Sequence, residues 1–340
     1  MKLINVIFHD TILYRWVRFP QTKLDKFIRS GAYNDYSLVE LKRIRKKLKF
    51  AYIFHDIPFK DFWQCRCEEL NRKKLRDIVP YKEQKSLWLH INSKAAHDLL
   101  CDKWKTYQHF RDFFGREVLF VQDSEKDDMG FRGFISRHSR FIVKPLAMNC
   151  GKGIQVLDTS MQDISSYSLL KRYKDGFVAE ELIVQDDSLA QFHPASVNTL
   201  RIHTVNYGDS LEILWPCLRI GCGGSIVDNA GAGGIFGAVD VDTGRIVAVS
   251  DEFHHTFDVH PDTGIHVLGY EIPRWKEACE MAKRLALCMP DCPFVGWDLA
   301  LTEKGWLMVE GNYGPLLIWQ IAVGKGIRKE FNRMKQKIGS

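Results

Sequence analysis

The sequence predicts an α+β protein: a mostly helical N-terminal region followed by strand-rich sub-domains. Three observations carry this. Helix caps and a 3.6-residue apolar period fill the chain up to about residue 115. Around residue 116 the pattern changes to short, alternating apolar runs. Near the C-terminus two apolar runs flank Glu303-Lys304-Gly305, the mark of a hairpin. At 340 residues the chain exceeds a single core, and we divide it at 1–115, 116–185 and 186–340.

In chain order, Ser37 and Glu40 have capping-box spacing, and Ser93 is positioned to cap a helix running through His97 to Tyr107. Strands are expected at 117–121, 140–144, 154–157, 177–184, 198–205 and 214–221. A glycine-rich stretch, 221–237, follows, then a hairpin at 237–249 and an amphipathic helix at 275–289. Hydrophobic content of 45% and charged content of 26% are those of a soluble globular protein. No apolar run approaches the roughly 18 residues of a membrane span, and the N-terminus lacks a signal-peptide pattern. A cytoplasmic protein is expected. The nine cysteines are scattered and odd in number, and Cys65-Arg66-Cys67 lacks zinc spacing, so reduced thiols are expected.

The net charge is +6, with Lys42, Arg43, Arg45, Lys46, Lys47 and Lys49 crowded together and Arg72-Lys73-Lys74-Leu75-Arg76 after them. Such a run is usually the solvated face of a helix; its functional reading is peripheral contact with an anionic membrane or acidic glycan. No nucleic-acid-reading motif is present, and the oligomeric state is left open.

Centring the last hairpin on Lys304 as a three-residue loop pairs Thr302 with Trp306, Ala300 with Met308 and Asp298 with Glu310. Asp298, Glu310 and Asn312 then share a face. Carboxylates opposed at roughly 5 Å repel, and a hard divalent cation such as Mg²⁺ would neutralise them. Upstream, Lys144 ends a strand beside Gly151-Lys152-Gly153, a loop whose backbone can approach phosphate, although the Walker spacing is missing. Glu180 and Glu181 sit on a strand. Arg201 and His203 share one strand face, opposite Leu200, Ile202 and Thr204. Arg219 precedes the glycine-rich stretch holding Asp228-Asn229 and Gly233-Gly234, a pattern suited to anions. His203 and His254-His255 are expected to be structural or substrate-contacting.

Taken in this order, the residues resemble the ATP-grasp superfamily. Ser196-Val197-Asn198-Thr199-Leu200-Arg201, His260-Pro261-Asp262-Thr263-Gly264 and Val295-Gly296-Trp297-Asp298 are similar to the sugar-transfer-associated ATP-grasp family, over roughly residues 90 to 325. The resemblance implies an ATP-grasp fold in which two α+β lobes sandwich ATP. It implies that Lys103 and Lys144 contact phosphates, with Gly151, Lys152 and Gly153 closing over them. Glu180, Glu181, Leu182 and Ile183 would be the adenine hinge, and Asp298, Glu310 and Asn312 the Mg²⁺ ligands. Arg201 and Arg219, with Asn229, Gly233 and Gly234, would hold the transferring phosphoryl group and its acceptor carboxylate. The ribose contact stays open among Gln185, Asp186 and Asp187. The implied activity is ADP-forming ligation of a small-molecule carboxylate to an amine through an acyl phosphate, with amino-acid or sugar-derived substrates from surface-polysaccharide or glycoconjugate synthesis. A kinase acting on a sugar-type hydroxyl, separable by a stable phosphorylated product, and a non-catalytic nucleotide-binding adaptor, separable by absent ATP turnover, are the alternatives.

Overall fold

The computed structural model describes residues 11–146, 153–228 and 230–339. Helices fill the N-terminal region. Ser37 caps the helix Leu38–His55 as expected: its hydroxyl accepts from the Glu40 amide, and the Glu40 carboxylate accepts from the Ser37 amide at 2.8 Å. The period-3.6 set Ile44, Leu48 and Ala51 is buried. Lys42, Arg43, Lys46 and Lys49 face solvent, whereas Arg45 pairs with Asp25 and Lys47 turns inward to donate to the Glu68 carbonyl at 2.5 Å. No helix among the described residues is long and apolar enough to cross a membrane.

Ser93 caps the helix Lys94–Leu100, accepting from the Ala96 amide at 3.0 Å. The expected continuation through Tyr107 is wrong. Asp102 accepts from the Trp104 and Lys105 amides, each at 3.0 Å, and so starts a separate helix, Lys103–Phe114. A short acid that caps competes with helix continuation at its own position.

Strands β1 (Val118–Val121), β2 (Arg140–Pro145), β3 (Gln155–Asp158) and β4 (Phe177–Glu181) form an antiparallel sheet of order β1-β4-β2-β3. Its core holds Phe131, Phe134, Phe141 and Phe177. Strand β4 stops at Glu181, short of the expected residue 184. The second sheet contains β5 (Thr199–Asn206), β6 (Leu211–Ile220), β7 (Ile235–Val239), β8 (Ile246–Ser250), β9 (Phe294–Thr302) and β10 (Gly305–Asn312). Its order is β10-β9-β5-β6-β7-β8, all antiparallel.

The helix Trp275–Leu287 buries Ala278, Ala282 and Leu285 in one cluster with Leu200, Ile202 and Trp297. On the opposite side, Cys217, Phe236 and Ala238 pack with the helix Ile318–Val323 and with Leu48, Ala51 and Phe62 of the N-terminal helices. The β9–β10 connection corrects the expected register. Thr302 pairs with Gly305, not Trp306, so Glu303-Lys304 is a two-residue turn. Met308 faces Leu299, and an irregularity between Met308 and Glu310 then brings Glu310 opposite Asp298. A bulge adds one residue to one strand, so the tighter turn and the extra residue cancel. The acid pair is opposed as expected, by a different route.

Candidate active site

Strand pairing lays charged residues in rows across the sheet. Glu310, Asp298, Arg201, Cys217 and Ala238 stand opposite one another across β10, β9, β5, β6 and β7. Thr199, Arg219 and Phe236 make the next row on the same face. Asp298, almost fully buried, is neutralised by guanidinium groups rather than left against Glu310 alone. Arg201 donates through Nε to Oδ1 at 2.7 Å and through Nη2 to Oδ2 at 2.6 Å, and Arg219 Nη1 donates to Oδ2 at 2.6 Å. Arg201 and Arg219 thus bring positive charge to Asp298 that the sequence expectation did not count. Burial alone would raise its carboxyl, but the two arginines outweigh that and hold it far below the usual range.

Glu310 differs. It leaves 54% of its side chain exposed and lies 4.0 Å from Arg201 Nη2. It sits in a cleft crowded with protein atoms, so lost hydration and the Asp298 charge raise its carboxyl. Asn312 spans the pair, its Nδ2 lying 3.4 Å from Asp298 and 3.5 Å from Glu310.

The four-stranded sheet supplies the facing half. Lys144 Nζ lies 2.9 Å from Glu180 Oε1. Arg116 donates to Glu180 Oε2 through Nε at 2.9 Å and Nη2 at 2.7 Å. Its Nη1 reaches the Met308 carbonyl at 2.7 Å, beside the β10 irregularity. Arg116 therefore ties β4 to β10, a link between sheets absent from the sequence expectations. Burial tends to raise the Glu180 carboxyl, but Lys144 and then Arg116 pull it down to about 2. Lys103, at the first turn of its helix, is lowered by burial and further by Lys144, while Glu310 and Glu180 act to raise it. Lys103 is within electrostatic reach of Lys144, Glu180 and Glu310.

The Glu180 carboxylate is taken by Lys144 and Arg116, and Glu181 Oε2 accepts from the Glu117 amide at 3.0 Å. Leu182 and Ile183 follow, half-buried, past the strand end. Among the three ribose candidates, Gln185 clamps the Asn198 backbone and Asp186 caps the helix Asp187–Ala190. Asp187 is exposed, and its side chain takes no hydrogen bond within the described residues.

Asn198 explains the start of the Asn-Thr-Leu-Arg run. Fully buried, it donates to the Leu189 and His193 carbonyls at 2.9 and 3.2 Å and accepts from the Gly221 amide at 3.2 Å. Thr199 grips Asp228 through its amide and hydroxyl, and Asp228 Oδ1 holds Arg219 Nη2 at 3.0 Å. His260 donates from Nε2 to the Gly221 carbonyl at 2.8 Å, and Asp262 accepts from the Gly223 amide at 2.6 Å. Both motifs thus fix the entry to the glycine-rich loop. Gly233 adopts φ +93° and Gly234 is buried. Gly151, Lys152 and Asn229 lie outside the described residues, while Gly153 is described with φ +73°.

His203 is buried against Phe294, its Nδ1 hydrogen-bonded to the Trp215 carbonyl at 3.0 Å. His255 pairs with Asp251. Both contacts are structural. Arg116 escaped sequence reasoning because the carboxylate it holds, Glu180, lies 64 residues away, and the grip of Thr199 on Asp228 spans 29 residues and was equally hidden.

The oxygen-rich set of Asp298, Glu310 and Asn312 fits a hard divalent cation. Glu310 is the member of the set left open to the cleft, its carboxyl raised by lost hydration and the Asp298 charge even with Arg201 4.0 Å away.

The family model described as sugar-transfer associated ATP-grasp matches residues 82–336. No curated protein matches the chain. Among solved structures, the ADP complex of the N5-carboxyaminoimidazole ribonucleotide synthetase purK aligns at 11% identity and TM-score 0.43, covering 71% of this chain and 52% of that one. The D-alanine–D-alanine ligase of Coxiella burnetii gives 11% and 0.43, covering 71% and 58%. The Bacillus anthracis D-alanine–D-alanine ligase gives 13% and 0.45, covering 79% and 78%. The chain spans less than two thirds of the length of the first two.

Proposed function

Because the chain belongs to the sugar-transfer-associated ATP-grasp family, we propose that it is an ATP- and Mg²⁺-dependent ligase joining a carboxylate to an amine through an acyl phosphate. The observation that carries this reading is the cleft itself. Lys103 and Lys144 approach from one side, and Arg201 and Arg219, pinned on Asp298 and Asp228, approach with Glu310 from the other. Phosphoryl transfer needs positioned charge more than a protein nucleophile, and this set supplies it. In this reading 116–185 is the small lobe, 186–340 the large lobe, and ATP lies between them.

Lys144 and Lys103 would hold ATP phosphates, Leu182 and Ile183 would meet the adenine edge, and Asp187 the ribose. Arg201 spends Nε and Nη2 on Asp298, leaving guanidinium donors for the transferring phosphoryl group. Arg219 and the Gly233-Gly234 segment would orient the acceptor carboxylate. Asp298, Glu310 and Asn312 would hold Mg²⁺, which neutralises phosphate charge when bound. An amine held against the activated acyl group then displaces phosphate. The family's association with sugar transfer supports substrates from surface-polysaccharide or glycoconjugate synthesis, and ATP dependence supports a cytoplasmic setting.

The test is a reaction with ¹⁸O-labelled carboxylate. Label in the released phosphate is expected. Unlabelled phosphate with amide formed, or a stable phosphorylated acceptor, overturns the acyl-phosphate route, the latter in favour of a kinase.

A further inference from the structure

Away from the cleft, the N-terminal helices meet the loop after β8 at a polar cluster that the proposed reaction does not use. His254 stands in that loop with φ +79°, a strained conformation for a residue with a side chain. Its ring stacks on Trp63 with centroids 6.0 Å apart and 5° between planes, and its Nδ1 is 2.8 Å from the Trp63 carbonyl. That contact makes Nδ1 the protonated nitrogen and aims the Nε2 lone pair away from the carbonyl. Nε2 lies beside Glu68, whose Oε1 is 2.7 Å away.

The Glu68 side chain is only 7% exposed, yet among the described residues neither carboxylate oxygen has an aligned hydrogen-bond donor. The short contact lacks the alignment of a hydrogen bond, and a proton on Nε2 would serve one oxygen at most. Glu69, which is exposed, adds a second carboxylate; the ligand atoms of all three residues lie within 4.8 Å of one another. Lys47 donates to the Glu68 main-chain carbonyl rather than to its carboxylate. His254 faces one carboxylate oxygen only, and leaving the other without a donor in a buried group is costly.

We propose that Glu68, Glu69 and His254 form a divalent-metal site for a borderline transition-metal ion such as Zn²⁺, clamping the loop after β8 to the N-terminal helices. The chemistry selects the ion class. One imidazole and two carboxylates carry a charge of −2 and suit Zn²⁺, whereas Mg²⁺ prefers oxygen alone. A second group at similar spacing, Cys222, His260 and Asp262, differs in a decisive way. There His260 donates from Nε2 to the Gly221 carbonyl and accepts at Nδ1 from the Asp262 and Thr263 amides, so both nitrogens are already used.

The experiment is equilibrium dialysis of the full chain against Zn²⁺ with Mg²⁺ in excess, paired with Co²⁺ absorption as a reporter of ligand geometry. One Zn²⁺ per chain and an intense four-coordinate Co²⁺ band are expected. Glu69→Gln, at an exposed position that does not threaten folding, should weaken binding about tenfold or more. Glu68→Gln and His254→Gln should abolish it, and Asp298→Asn should leave it unchanged. Absence of Zn²⁺ binding, binding indifferent to Glu69→Gln, or binding lost only in Asp298→Asn would each overturn the proposal.

Discussion

Asp298 and Glu310 are opposed across two strands, but they do different work. Asp298 is the buried counter-charge of Arg201 and Arg219, while Glu310 is open to the cleft. Removing one member of a buried ion-paired set leaves the others uncompensated, at a cost of about 3–5 kcal/mol. Asp298→Ala should therefore lose that much stability in denaturant unfolding and lose ATP turnover as well. Glu310→Gln, which removes a like charge from beside Asp298, should cost no stability and still abolish turnover. Equal destabilisation in the two variants would refute the division of labour. The sequence showed that the two acids oppose each other. It hid the arginines that neutralise Asp298, because Arg201 reaches it from a strand 97 residues earlier and local periodicity carries no pairing between distant strands.

The elements were legible where capping chemistry is local. Ser37 with Glu40, and Ser93, cap where the side chains predict. The hairpin was legible in type but not in register, since a turn one residue tighter and a β10 irregularity leave the same pairing of Asp298 with Glu310. Arg116 shows what pattern reading cannot reach: a single residue between a helix and β1 that joins Glu180 of one sheet to Met308 of the other. Arg116→Met would leave Glu180 with Lys144 alone and strip a charged donor from the Met308 carbonyl. A loss of about 3–5 kcal/mol in denaturant unfolding is expected. Asp102→Ala, which removes the cap that sets Lys103 at its helix start, should cost only about 1 kcal/mol. It should also raise the KM for ATP; an unchanged KM would separate Lys103 from nucleotide binding.

At the scale of the whole molecule, acid stability rests on titratable groups that the fold buries. His203, on β5, is buried with its ring stacked on Phe294 of the neighbouring strand β9, and burial, helped by Arg201, pushes it down to about 4 from an unfolded value of 6.5. The unfolded chain therefore takes up that proton first. The stabilisation is complete above pH 6.5 and is lost as pH falls toward 4, a difference of about 3 kcal/mol. Glu180 acts lower on the scale, its folded value near 2 against 4.5 unfolded. Its contribution is present above pH 4.5 and disappears as pH falls toward 2, again about 3 kcal/mol. Urea unfolding across this range should show stability declining through two overlapping windows. His203→Gln should flatten the window between 6.5 and 4.5 while leaving the lower one in place, because the lower window belongs to the seam between the two sheets. A variant whose slope between pH 6.5 and 4.5 matches the wild type would show that His203 is not what makes the fold acid-sensitive there.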